Sequence, residues 1–179
     1  EDYLKAVVPS IVSENSQILA DGNTLMHWAV SHGYWRYLGL DGSCDSSWKF
    51  SNPNFKVRNA NGKTLLMTAL EDPEVKMGNI KTLIDKTPEE CFGWIDKEGK
   101  TILMRAVERW SQPGSYEDFN SLLPAILDKV ADERAYDVRD NDGKTALMHM
   151  IEFYISVPRD ESFEVICKIM KRTDVTIRD

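Results

Sequence analysis

One eight-residue phrase occurs four times along this 179-residue chain: Gly22-Asn-Thr-Leu-Met-His-Trp-Ala29, Gly62-Lys-Thr-Leu-Leu-Met-Thr-Ala69, Gly99-Lys-Thr-Ile-Leu-Met-Arg-Ala106 and Gly143-Lys-Thr-Ala-Leu-Met-His-Met150. Counted from glycine to glycine (22, 62, 99, 143), it returns after 40, 37 and 44 residues. Recurrence at such a period means stacked supersecondary units, none of which buries its apolar face alone. The expectation is an all-α solenoid of paired antiparallel helices joined by short turns, with its function on an extended surface.

The local chemistry supports that reading. Val57-Arg-Asn-Ala-Asn-Gly62, Ile95-Asp-Lys-Glu-Gly99 (from 95 to 99) and Val138-Arg-Asp-Asn-Asp-Gly143 are rich in Gly, Asn and Asp, which accept positive φ or bond their own backbone. The threonine two residues after each glycine (Thr24, Thr64, Thr101, Thr145) is placed to cap a helix. Apolar residues then follow at helical spacing, as in Leu65, Leu66, Ala69 and Leu70 or Ile102, Leu103, Ala106 and Val107. Second helices are predicted over Tyr34–Leu40, Gly78–Asp85, Tyr116–Lys129 and Glu161–Lys171, the last with Phe163, Ile166, Cys167 and Met170 on one apolar stripe. Connectors at Asp72–Met77, Trp110–Ser115 and Ser156–Asp160 carry Pro73, Pro113 and Pro158, and residues 41–56 form the longest predicted loop.

These signals divide the chain into residues 1–17, a second helix of a preceding repeat or an N-terminal cap, then repeats at 18–56, 57–94, 95–137 and 138–174, with 175–179 opening a further one. Leu4, Val7, Val8, Ile11 and Val12 supply the apolar stripe of the first segment, interrupted by Pro9. Val175-Thr-Ile-Arg-Asp179 repeats the approach to a new turn.

Hydrophobic residues make up 42% of the chain and charged residues 28%, enough for a continuous core and a soluble surface. Lys and Arg number 22 against 29 Asp and Glu, a net charge of −7 that weighs against a nucleic-acid partner. Three distant cysteines (Cys44, Cys91, Cys167) argue for a reducing compartment over a disulfide framework. No apolar run approaches the roughly 18 residues needed to cross a membrane.

Turn, Gly-x-Thr, helix, turn and second helix resemble an ankyrin repeat, whose signature centres on Thr-Pro-Leu-His-x-Ala. The first unit is most similar, with Asp21-Gly-Asn-Thr-Leu-Met-His27-Trp-Ala29-Val-Ser-His-Gly33, and the resemblance covers about residues 18–179. The proline position holds Leu25, Leu65, Ile102 and Ala146, and the histidine position otherwise holds Met67, Met104 and Met148. The resemblance implies an ankyrin-like solenoid with finger loops, in which His27 bonds turn backbones between units.

Several fragments look chemical and fail on spacing. Gly93 to Thr101 nearly spells a phosphate-binding loop but places five residues between its glycines, where the motif requires four. Asp140-Asn-Asp142-Gly143 resembles a calcium loop, yet Val138 and His149 occupy its first and closing ligand positions. His27, His32 and His149 lack metal-site spacing, and no Ser or Cys lies in a nucleophile motif. No metal or cofactor is expected. Trp28 is expected to pack, while Tyr34, Trp35 and Tyr37 divide evenly between core packing and an exposed anchor.

Lys63, Lys100 and Lys144 follow the turn glycines, and Glu71, Glu108 and Glu152 lie in the first helices. For individual pairs the expectation is mutual surface pairing. For the surface as a whole it is a partner-binding face, concave in ankyrin repeats, comprising Asn23, Ser31, His32, Asn61, Lys63, Glu71, Asp72, Glu98, Lys100, Glu108, Arg109, Asp142, Lys144, Glu152 and Phe153. The expected function is a non-catalytic, monomeric protein-interaction module, cytoplasmic in its own cell or delivered into a host cytosol. The alternative is a regulatory ankyrin segment of a larger enzyme or channel contacting its own chain. A third option, a small molecule held between a finger and loop 41–56, has the aromatics Trp48, Phe50 and Phe55 in support.

Overall fold

A computed structural model describes residues 19, 22–40, 53–111, 119–156 and 160–172. The expectations for residues 1–17, for 175–179, for most of loop 41–56 and for parts of two connectors lie outside the described residues. Among the described residues are seven α-helices: α1 (Leu25–Ser31), α2 (Leu65–Glu71), α3 (Met77–Lys86), α4 (Ile102–Ser111), α5 (Phe119–Lys129), α6 (Ala146–Ser156) and α7 (Asp160–Met170). Short 3-10 turns occupy Trp35–Leu38, Glu89–Gly93 and Glu133–Tyr136. No strand occurs among them; one antiparallel bridge joins Arg58 to Thr64 at the base of a finger.

The chain forms two compact units, Glu1–Thr87 and Pro88–Asp179. In the first, α1 packs on α2 and α2 on α3. Small Ala29 and Ala69 allow close approach, and Met26, Leu66, Met67 and Ile80 are fully buried around them. In the second, α4 packs against α5 and α6, and α6 against α7. The Glu89–Gly93 turn packs on α4, α5 and the Glu133–Tyr136 turn, so residues 88–94 cohere with the elements that follow them.

Each first helix begins where its threonine predicts. The hydroxyls of Thr24, Thr64, Thr101 and Thr145 accept from the amides of His27 (3.4 Å), Met67 (3.2 Å), Met104 (3.3 Å) and Met148 (3.3 Å). At Thr64 the box closes through sulfur: its amide donates to Sδ of Met67 at 3.5 Å, where a capping box ordinarily carries an acid or amide.

Two expectations change. Tyr34–Leu40 is no second α-helix but a single 3-10 turn over Trp35–Leu38, closed by Gly39 at φ 70°. Positive φ at both Gly33 and Gly39 leaves too few residues between them for a regular α-helix. In α7 the buried stripe is Val165, Ile166 and Ile169, with Cys167 half-buried and Phe163 and Met170 exposed. Met26, Met67, Met104 and Met150 are core residues, whereas Met148 and Met170 are exposed.

Candidate functional site

The site grows from the fingers. In three of them a polar residue three positions before the glycine folds the turn with one side-chain oxygen. Oδ1 of Asn59 accepts from the amides of Asn61 and Lys63, that of Asp96 from Glu98 and Lys100, and that of Asp140 from Asp142 and Lys144. Within each unit, neighbouring fingers are joined by the main chain: the Ala60 amide donates to the Gly22 carbonyl at 2.6 Å, and the Asn141 amide to that of Glu98 at 2.9 Å. Gly99 is required twice over, by φ of 77° and because a Cβ there would lie 2.9 Å from Cα of Asp140.

The remaining side-chain atoms of the turn residues are held differently in the two units. In the first, Nδ2 of Asn59 donates to Oδ1 of Asn23 at 2.9 Å. His27 is buried, with Nε2 donating to the Lys63 carbonyl at 2.9 Å, which leaves Nδ1 to accept from the Thr24 hydroxyl at 2.7 Å. Burial pushes this imidazole down to about 4, against the opposing effect of the Lys63 carbonyl, so the ring is neutral near pH 7.

In the second unit the turn carboxylates are buried with basic partners. Oδ2 of Asp96 accepts from both Nε (2.9 Å) and a terminal nitrogen of Arg105. Oδ2 of Asp140 accepts from Nε2 of His149 at 2.6 Å. Burial pushes the Asp140 carboxyl up, but the Lys144 amide, the His149 ring and the Asp142 amide outweigh it and hold the group below its ordinary value.

Besides these pairs, the last three repeats each carry a Lys–Glu ion pair at the same sequence register. Lys63 meets Glu71 at 2.7 Å in the first unit, and Lys100 meets Glu108 at 2.5 Å and Lys144 meets Glu152 at 2.8 Å in the second, each lysine reaching eight residues along its own repeat. Lys100 has further neighbours, because Glu98 lies 3.2 Å from it and 3.1 Å from Arg105, which also contacts Glu108 at 3.1 Å. The Arg105 hydrogen bond, followed by Lys100, outweighs desolvation and lowers Glu98. Burial opposes the charge on Lys100, but Glu108 and Glu98 carry its value upward.

Beside this network α4 and α6 frame a shallow open pocket of about 230 Å³, lined by Val107, Glu108, His149, Glu152, Phe153 and Ser156. That is smaller than the roughly 300–1,000 Å³ typical of a small-molecule site, and it suits one inserted side chain. Among the described residues, no group of three or more His, Cys, Asp or Glu is placed to hold a metal. None of the helices there is long and apolar enough to cross a membrane.

Among solved structures, the chain is similar to an ankyrin repeat domain from Acinetobacter baumannii AYE, with 16% identity, 90% of this chain and 74% of that chain covered, and a TM-score of 0.62. The chain has the ankyrin-repeat fold. No protein-family model matches its sequence, and no curated protein matches it.

On this ankyrin-repeat frame the expected binding residues fall into separate groups. In the first unit, Asn61 is exposed at a tip, Lys63 and Glu71 pair, and exposed His32 stacks on Trp28 with ring centroids 4.2 Å apart. Three others serve the framework: Asn23 accepts from Asn59, the Ser31 hydroxyl donates to the His27 carbonyl, and Asp72 accepts from the Glu74 amide. Of the undecided aromatics, Tyr37 is buried, while Tyr34 and Trp35 are half-buried. Tyr34 stacks on Trp28 at 5.3 Å.

In the second unit, Glu98, Lys100 and Glu108 belong to the network around Arg105, and Lys144 pairs with Glu152 near exposed Asp142 in the adjacent turn. Glu108, Glu152 and Phe153 meet in the pocket. Arg109 and Phe153 are buried, which corrects their expected place on an open surface. Both follow the exposed turn of a first helix by one residue, and that step of about 100° rotates them toward the core. Phe153 packs on Trp110 with centroids 4.1 Å apart and forms the pocket floor.

Sequence reading missed Asp96 with Arg105 and Asp140 with His149. The signal was present: an acid three residues before the turn glycine and a base nine residues after that acid, in both repeats of the second unit.

Proposed function

We propose that the protein is a non-catalytic interaction module of the intracellular space that holds a protein partner on its turn tips and first helices, with one basic side chain of that partner entering the pocket between α4 and α6. The observation that carries this reading is the pocket's lining. Glu108 and Glu152 flank an opening floored by Phe153 and walled by Val107, so a Lys or Arg stem meets apolar surface while its head meets carboxylates. The chain's net charge of −7 favours approach by a basic segment. The acids around the pocket are held by ion pairs, which gives a rigid surface with little ordering cost on binding.

The test is affinity capture from a cell extract with the natural protein and with Glu152→Lys, folding being checked by circular dichroism. A partner captured by the natural protein, lost from the variant and weakened by added salt supports the reading. Equal capture of the same partner by both proteins would sink it.

A further inference from the structure

Each unit sets one first helix against the next, α1 on α2 and α4 on α6, so matching positions can be compared. Counted from the capping threonines, the positions that line the pocket are held in the first unit by Val30 and Ser31 on α1 and by Thr68, Glu71, Asp72 and Val75 on α2. Glu108 thus stands where the first unit has Ser31, and Phe153 where it has Asp72. Of these two helix pairs, the second alone combines an acid on both helices with an aromatic floor. The pocket is a property of its side chains and not of the repeat frame.

The bonds those side chains already make decide what they offer a ligand. Glu152 gives Oε2 to Lys144, and its Oε1 has no partner among the described residues. The Ser156 hydroxyl donates to the Glu152 carbonyl, so its oxygen is left to accept. His149 donates through Nε2 to Asp140, which leaves Nδ1 of the neutral ring as an acceptor. On the opposite wall, Lys100 and Arg105 hold the two oxygens of Glu108 and fix the carboxylate in place. The lining side chains therefore present acceptors and negative charge, with their N–H and O–H groups engaged by the protein. A carboxamide would bring a carbonyl oxygen that no lining donor meets. A cation brings donors alone.

We infer that the pocket selects arginine over lysine, given that a basic side chain enters it as proposed. Arginine carries five N–H donors in a rigid plane, so one group can serve acceptors on α4 and α6 together. Its plane also suits an aromatic floor, and Phe153 is braced by Trp110 with centroids 4.1 Å apart. A guanidinium is more weakly hydrated than an ammonium and loses less on meeting the apolar surface of Val107 and Phe153. Lysine is a strongly hydrated point charge with three donors, which this lining serves less well.

The test uses blocked pentapeptides, acetyl-Gly-Gly-X-Gly-Gly-amide, in which X is arginine, lysine or citrulline; the last keeps the flat shape of arginine without its charge. Binding to the 179-residue chain at pH 8 is followed by NMR at the backbone amides of Glu152 and Ser156. The arginine peptide is expected to shift these amides and to bind about tenfold more tightly than the lysine peptide, with citrulline weakest. Glu152→Gln, at an exposed position, should keep the fold and weaken the arginine peptide about fivefold or more. Phe153→Leu should bring the arginine and lysine affinities to within about twofold of each other. Equal affinity of the arginine and lysine peptides at the same amides would overturn the selectivity and leave the basic-side-chain reading standing. Failure of both peptides to shift those amides would remove both. Citrulline bound as tightly as arginine, or arginine affinity untouched by Glu152→Gln, would also overturn the selectivity.

Discussion

The fingers of the two units perform the same task with different chemistry. In the first, a neutral amide and a neutral imidazole hold the turn: Asn59 bonds Asn23, and His27 bonds the Lys63 carbonyl. In the second, carboxylates hold it from inside: Asp96 faces Arg105, and Asp140 faces His149. The difference lies in two positions of each repeat. Arg105 follows Met104 and His149 follows Met148, each turning back to the Asp of its own finger, whereas Met67 is followed by Thr68 and its finger carries the neutral Asn59. Neutral bonds tolerate loss of a partner better than buried charges do, since an abandoned charge has no solvent to turn to. The two units should therefore fail under different insults.

The largest expected effect is at Asp96. Replacing it with Ala removes the turn acceptor together with the buried partner of Arg105, leaving that guanidinium with the more exposed Glu98 and Glu108, and is expected to cost about 3–5 kcal/mol in denaturant unfolding. Asn59→Ala removes the corresponding turn acceptor in the first unit and should cost about 1–3 kcal/mol. Equal costs at the two sites would erase the distinction between neutral and charged fingers.

Acid should separate the units in order. His27 falls from its ordinary 6.5 to about 4 in the fold, so between those values the unfolded chain binds more protons than the folded one. Its contribution is whole above about pH 6.5, fades as pH falls and is gone below about pH 4, a loss of up to about 3 kcal/mol. Asp140 is also lowered, from an ordinary 3.8, so its contribution is whole above that value and is lost only as pH falls through its lower folded value. Hydrogen exchange across a pH series should show the first unit opening before the second. His27→Met should flatten the slope between pH 6.5 and 4 and leave the more acidic transition in place. Simultaneous opening of both units at every pH would contradict this account.

The smallest effect is expected where the pairs are most visible. A double-mutant cycle on Lys63 and Glu71 should give a coupling of about 0–1 kcal/mol, because both side chains keep contact with water. A coupling several times larger would move these pairs from the binding surface to the framework.

How much of this was legible in the sequence varies with the physics. The fingers and helix starts were, because Gly at positive φ and a capping Thr act within a few residues of themselves, and the Lys–Glu register was visible as a repeated interval. The buried Asp–base pairs were harder to see, since nothing in Asp96 or Asp140 alone separates a buried carboxylate from a solvated turn acid. Helical phase decided Arg109 and Phe153, where a shift of one residue turns surface into core. The exposed stripe of α7 misled for a related reason: Phe163 and Met170 are apolar, and apolarity does not say which neighbour is to cover them.

The main-chain clasp between fingers has a further consequence. Because the Ala60 and Asn141 amides do the joining, the same bond forms whether the tip carries a methyl group or a carboxamide. Tip residues can therefore be exchanged by selection without unstitching neighbouring repeats. The part of the fold best placed to meet another protein is also the part whose identity the fold constrains least.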